Sequence, residues 1–222
     1  MTITIWGRPN SICTQRALWT CVEVGVDFDL VLASATMGPA GHVSTGAEPF
    51  GIVDTPVYRA MNPNGTVPTI DDRGYVLWES NAIVTYLALE YGPPSLSGSG
   101  AAGLAQQLKW MAWTNDRLEP ALHTLVMECV RLLASERSSA AIQAANEDAI
   151  AGLEQLEVVL GQQPYMGGAQ FGIADVPTAC AAYRWILFEL DGPPLPRVRA
   201  WLEPIMARDG FRTHVLPKVF HL

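Results

Sequence analysis

The sequence predicts an α/β domain over residues 1–91 followed by an all-helical domain over 104–222, and three observations carry that expectation. Near the start, apolar residues recur first at period two, then at helical spacing, then again at period two. Residues 92–103, "GPPSLSGSGAAG", are rich in Gly, Ser and Pro and hold no charge or aromatic ring, which marks a linker. Beyond it the strand signals vanish.

The elements follow in order. "TITIW" alternates polar and apolar residues and reads as a strand, after which Gly7, Pro9 and Asn10 break the pattern. "SICTQRALWTCVEVG" then takes helical spacing, with Gly25 placed as the residue that ends the helix. "DFDLVL" restores period two and closes a strand–helix–strand unit, expected to be parallel and right-handed. Residues 33–53 lose periodicity over a stretch longer than the ~12–15 residues usual for a plain loop, and read as a flap or a decorated surface loop.

"DTPVYRAM" is a short helical piece that leads into "NPNGTVPTI"; "DDRG" is a hairpin turn and "YVLW" a fourth strand. The helix "ESNAIVTYLALEY" stops at "GPP", because proline cannot continue it. In the second domain, amphipathic segments fall at about 104–134, 138–161, 172–190 and 197–207, with a kink expected at Pro120.

Composition narrows the function. A formal net charge of −8, with only 14 Lys and Arg spread over 222 residues, argues against a phosphate-binding face and so against nucleic acid as a partner. No apolar run approaches the ~18–20 residues needed to span a bilayer, and the start shows no cleavable leader, so the expectation is a soluble, cytoplasmic protein. Cys13, Cys21, Cys129 and Cys180 show no metal-ligand spacing and read as free thiols. No metal is expected.

Two places combine groups that suit a peptide-like ligand. In "NGTVPTI" Pro68 stands at a strand entrance, where it lacks a ladder N–H; were the Val67–Pro68 bond cis, the Val67 backbone would turn outward and offer an N–H and a C=O to an extended peptide. In "LWESNAIV", Glu79 and Ser80 stand where strand gives way to helix, so a carboxylate and a hydroxyl flank free N–H groups; that set can hold an amino acid's ammonium and carboxylate, or simply cap the helix.

"NSICTQRALW", "NPNGTVPTI" and "VLWESNAIVTYLA", in this order, resemble the amino-terminal thioredoxin-like domain of the cytosolic glutathione transferases, in the bacterial and fungal theta-like or nu-like branch. "FGIADVPTACAAYRW" and "PRVRAWLEPIMARDGFRTHV" resemble that family's helical domain, so the likeness covers nearly the whole chain. The resemblance implies a glutathione transferase that attacks a small hydrophobic electrophile and works as a homodimer. It implies that Glu79 and Ser80 hold the γ-glutamyl end of glutathione, that the backbone of Val67, before Pro68, pairs with the cysteinyl part, and that Asn64 reaches the glycine end. Trp110, Trp113 and Arg117 would border the electrophile pocket, though aromatic residues at that helical spacing equally suit a core. Residues 33–53, by their length and their position between the second strand and the recognition segment, are expected to cover the glutathione site.

In the serine-type branches the first serine after the strand donates to the glutathione sulfur, which implies that role for Ser11. The chain departs from the branch at Ser11-Ile12-Cys13, where relatives show Ser-Ser-Asn; Ser-x-Cys is instead similar to the zeta branch of glutathione-dependent isomerases, whose members carry Gln-Ser where this chain has Glu79-Ser80. Cys13 is therefore a second catalytic candidate, with a polar group behind the site or a small buried hydrophobe as its other readings, and the functional alternatives are an isomerase, a thiol-exchange enzyme or a non-catalytic glutathione-binding module. Asp175, three residues after Gly172, reads as structural, as part of a helix-capping segment. Arg16 and Arg59 could supply positive potential near the glutathione carboxylates, with exposed, solvated arginine as the default reading for both.

Overall fold

The computed structural model of the chain describes residues 2–34 and 52–217. The expectations placed on residues 35–51 lie outside the described residues. The chain divides into two units, Met1–Pro93 with Asp209–Leu222, and Pro94–Arg208.

In the first unit, β1 (Thr2–Gly7) is followed by α1 (Ile12–Val24) and β2 (Asp27–Leu32), then α2 (Pro56–Met61), β3 (Thr69–Asp72), β4 (Tyr75–Trp78) and α3 (Ser80–Glu90). The sheet runs β2-β1-β3-β4: β1 pairs parallel with β2 and antiparallel with β3, which pairs antiparallel with β4. Alternation decides which face each side chain takes. Ile3 and Ile5 of β1, with Ile70 of β3, pack on Ala17, Leu18 and Cys21 of α1 and on Ile83 and Leu87 of α3, all fully buried or nearly so. Burying such an Ile or Leu contributes about 2 kcal/mol before ordering costs. Trp6, one residue out of phase, joins the opposite cluster of Ala33, Val53, Tyr58 and Val67.

Gly25 ends α1 as expected: it sits left-handed at φ 69°, ψ 33° and its N–H reaches the last turn. "DDRG" forms a two-residue hairpin with positive φ at Arg73 and Gly74, and the Asp71 carboxylate accepts from Gly74 N–H at 2.6 Å. Buried Asp72 then ties this hairpin to α3 by accepting from the hydroxyls of Tyr86 (2.7 Å) and Tyr91 and from Arg73 Nε (2.9 Å). Burial alone would raise the Asp72 carboxyl, yet these donors hold it below its usual range.

The second unit is helical: α4 (Pro94–Ser97), α5 (Gly100–Arg117), α6 (Glu119–Val126), α7 (Ser139–Val159), α8 (Asp175–Ile186) and α9 (Pro196–Met206). Three differences from the sequence reading have physical reasons. Residues 92–103, read as a linker, hold α4 and the first turn of α5, because Leu96 is buried and its C=O accepts from Ile173 N–H at 2.9 Å. The 104–134 helix is interrupted at Leu118 rather than merely kinked: Pro120 falls in the first turn of α6, where its missing N–H leaves no gap, and a π-helical turn follows at Met127–Arg131. The last helix, α10 (Asp209–His214), packs on α1 and belongs to the first unit: Phe211 meets Trp19 edge-on at 5.0 Å, and His214 meets Phe28.

Asp175 has the structural surroundings expected of it. Its carboxylate, fully buried, accepts from Met166 N–H, Gly172 N–H and Trp201 Nε1, each at 2.9 Å, which joins the loop before α8 to α9. Burial pushes its carboxyl up to about 6 against the pull of those donors. The Thr114 and Thr178 hydroxyls, 2.7 Å apart and both buried, lock α5 to α8.

Candidate functional site

Strand register brings the first unit's candidate residues to one end of the sheet. Trp6 pairs with Thr69, so Val67, two residues earlier on β3's side, stands beside the turn that leads from β1 to Ser11. Thr69 pairs also with Trp78, so the continuation of β4 into Glu79 and Ser80 runs past Pro68 and Val67. Three chain segments remote in sequence thus share one edge.

Ser11 is the N-cap of α1 rather than its first helical residue, with φ −76° and ψ 124°. Its Oγ accepts from Thr14 N–H at 3.4 Å, which uses a lone pair and leaves the hydroxyl proton; among the described residues nothing accepts that proton. The N–H groups of the first turn of α1 add positive potential beside it. Ser11 is 8% exposed, close enough to the surface to meet a ligand. Gly7 is required beneath this turn, since a Cβ there would lie 2.4 Å from Thr14 Cγ2. Cys13 is a half-buried free thiol in the same first turn, inside the helix rather than at its cap.

Glu79 and Ser80 separate into distinct roles. Glu79 precedes α3 at φ 71°, ψ 112°, a conformation costly for a residue with a Cβ, and its side chain makes no capping bond. Its carboxylate is exposed and has no partner among the described residues. Ser80 is 7% exposed and accepts from Arg16 Nη1 at 3.3 Å. A guanidinium has no acceptor, so this bond takes a lone pair of Ser80 and leaves its proton for an anion. Arg16 itself is 1% exposed, which corrects the expectation of a solvated side chain. Its charge lies behind the open N-terminus of α3.

The Val67–Pro68 peptide bond is cis. Among the described residues neither the N–H nor the C=O of Val67 is hydrogen-bonded. Asn64 is exposed, and its N–H donates to Asn62 Oδ1 at 3.1 Å. Sequence reading passed over Asn62 and Tyr58, both buried, which hold this segment from beneath; "NPNG" advertises only a turn, and the buried end of a six-residue helix carries no periodic signal. Arg59, by contrast, is exposed and pairs with Asp54 at 2.8 Å.

In the second unit, Trp110 and Trp113 are half-buried and meet edge to face at 5.4 Å, with Trp113 Nε1 donating to Gln155 at 3.3 Å. Arg117 lines a cavity of about 270 Å³ with Asp116, Pro120, Asp148 and Gln155, and the two tryptophans are not part of its wall. No group of His, Cys, Asp or Glu among the described residues is arranged to hold a metal, and no described helix is long and apolar enough to cross a membrane.

Comparison with known proteins adds a second line of observation. The family model described as "Glutathione S-transferase, N-terminal domain" matches residues 10–90, and that described as "Glutathione S-transferase, C-terminal domain" matches residues 139–203. The chain is 34% identical over 216 residues to glutathione S-transferase GstB of Escherichia coli (strain K12), covering 96% of this chain and 98% of that protein. It is 28% identical to glutathione S-transferase 4 of Zea mays, over 93% of this chain and 88% of the other. Among solved structures, the theta class glutathione S-transferase of Xanthomonas axonopodis pv. citri with glutathione bound superposes with a TM-score of 0.87 at 36% identity, covering 98% of each chain.

Proposed function

The chain belongs to the glutathione S-transferase family, and from that premise we propose that it binds glutathione on the first unit and activates the thiol for attack on a small hydrophobic electrophile. The carrying observation is Ser11: a capping serine whose lone pair serves the helix and whose proton is left to donate.

Each part of the ligand meets matching chemistry. The ammonium of the γ-glutamyl group goes to the Glu79 carboxylate and its α-carboxylate to the Ser80 hydroxyl and the N-terminus of α3, with Arg16 behind. The cysteinyl N–H and C=O pair with the Val67 backbone beside Pro68, as in strand addition, and Asn64 reaches the glycine end. Ser11 then donates to the sulfur. The thiol loses its proton to solvent, the thiolate forms the new S–C bond, and the leaving group departs with its electron pair. The helical unit supplies the electrophile pocket, with Arg117 lining one cavity and Trp110 and Trp113, which lie outside that cavity's wall, as further candidate contacts. No metal enters this chemistry.

Retention on immobilised glutathione, followed by turnover of a panel of aryl halides, epoxides and activated alkenes, tests this reading. Failure to bind glutathione would remove it, and binding without turnover of any electrophile would leave a glutathione-binding module. A second reading has one observation in its favour: Cys13, half-buried two residues from Ser11, is placed for thiol exchange or for an isomerase of the zeta type.

The same reading places the protein in the cytoplasm, in the detoxification of electrophiles, as a two-fold homodimer. Light scattering should give about twice the 24.1 kDa chain mass; a stable monomer at micromolar concentration removes the dimer.

A further inference from the structure

Beneath the Val67 segment lies a closed set of buried hydrogen bonds in which every proton can be assigned. Thr66 C=O accepts from Tyr58 OH at 2.7 Å and from Asn62 Nδ2 at 2.9 Å. Tyr58 has one proton and spends it there, so the 2.8 Å contact between Tyr58 OH and Thr69 Oγ1 has Thr69 as donor. Thr69 Oγ1 in turn accepts the second Asn62 Nδ2 proton at 3.1 Å, and Asn62 Oδ1 accepts from Asn64 N–H. Tyr58, Asn62 and Thr69 are 1%, 0% and 0% exposed. Both lone pairs of the Thr66 carbonyl are occupied.

A carbonyl held by two donors fixes the plane of its peptide. The Thr66–Val67 peptide is trans, so its N–H points opposite to its C=O. With the C=O drawn toward Tyr58 and Asn62 in the interior, the Val67 N–H is aimed away from them, and it has no partner among the described residues. Tyr58 is buried in one apolar cluster with Ala33 and Val53, against which Val67 packs, and this restrains its hydroxyl. Satisfied buried networks of this kind rigidify what they hold.

From this we infer that Tyr58 and Asn62 are positioning residues for glutathione: by saturating the Thr66 carbonyl they aim the Val67 N–H at the cysteinyl carbonyl of the bound tripeptide. The inference rests on the transferase reading and concerns one bond within it. Neither residue touches the ligand or the sulfur.

The test compares two ligands in calorimetry: glutathione, and γ-glutamylcysteamine, which keeps the γ-glutamyl group and the thiol but lacks the cysteinyl carbonyl and the glycine beyond it, so that Tyr58→Phe, which leaves the Asn62–Asn64 bond in place, is the decisive variant. Tyr58→Phe removes one donor to Thr66 and is expected to weaken glutathione about three- to ten-fold, the range for one neutral hydrogen bond, while γ-glutamylcysteamine binds as to wild type. In kinetics the KM for glutathione should rise by the same factor, with kcat at saturation and the pH profile of the bound thiol unchanged, since Ser11 is untouched. Asn62→Ala removes the other donor and should repeat the pattern, which keeps the inference testable if Tyr58→Phe does not fold. Equal losses for both ligands, or no loss for glutathione, overturn it. A wild type that binds neither ligand overturns the transferase reading itself.

Discussion

The Glu79→Ala, Ser80→Ala double variant is expected to lose about ten- to a hundred-fold or more of its affinity for glutathione, read by calorimetry. Each residue offers a charge-assisted bond to one end of an amino acid zwitterion, and removing such a partner costs about 1.5–3 kcal/mol. Ser80 on its own is expected at the lower end, because the N–H groups of α3 and the Arg16 guanidinium remain to face the carboxylate. Glu79 on its own is expected to carry most of the loss.

Backbone strain at Glu79 separates binding from stability. At φ 71° a side chain with a Cβ costs of order 1–3 kcal/mol, and Glu79 returns nothing to the fold through its carboxylate, which caps no helix and pairs with no described residue. Glu79→Ala keeps that strain, whereas glycine is at ease there. Glu79→Gly should therefore melt above Glu79→Ala while the two lose glutathione equally. If both bind glutathione like wild type, Glu79 does not hold the γ-glutamyl end, whatever they do to melting temperature.

Much of this site was legible in the sequence because its signals are local. Period-two runs fixed the strands, the proline in "TVPTI" marked a chain end without a ladder N–H, and a carboxylate and hydroxyl at a strand-to-helix junction are readable from eight residues. What bears on the site from a distance was not legible. Arg16 is a candidate charge near the carboxylates from sequence, but its burial behind Ser80 shows only once α3 is packed over it, and Tyr58 and Asn62 acquire meaning only when the chain folds back so that Thr66 and Thr69 meet them. The end of the chain was misassigned for the same reason. "DGFRTH" has the helical character of its neighbours, and only the packing of Phe211 on Trp19 attaches it to the first unit.

Ser11→Ala is expected to lower turnover at neutral pH by about ten- to a hundred-fold while glutathione affinity changes little. A free cysteine thiol ionises near ~8.5, so only a few per cent is thiolate at neutral pH. A hydroxyl that donates to the sulfur favours the charged form and lowers that pKa; taking it away raises the pKa, and each unit of the rise removes about tenfold of the thiolate while the pH is below it. The loss should therefore be large at pH 6–7 and shrink as pH rises past the variant's own thiol pKa, which ultraviolet titration of the bound thiolate can follow directly. Cys13→Ala should leave the titration and the rate near wild type, because Cys13 belongs to the helix proper while Ser11 caps it, and the two side chains leave the chain in different directions. Should Cys13→Ala instead abolish activity, or intact mass after turnover show glutathione retained on Cys13 while Ser11→Ala stays active, the reactive group is Cys13 and the enzyme exchanges thiols rather than conjugating them.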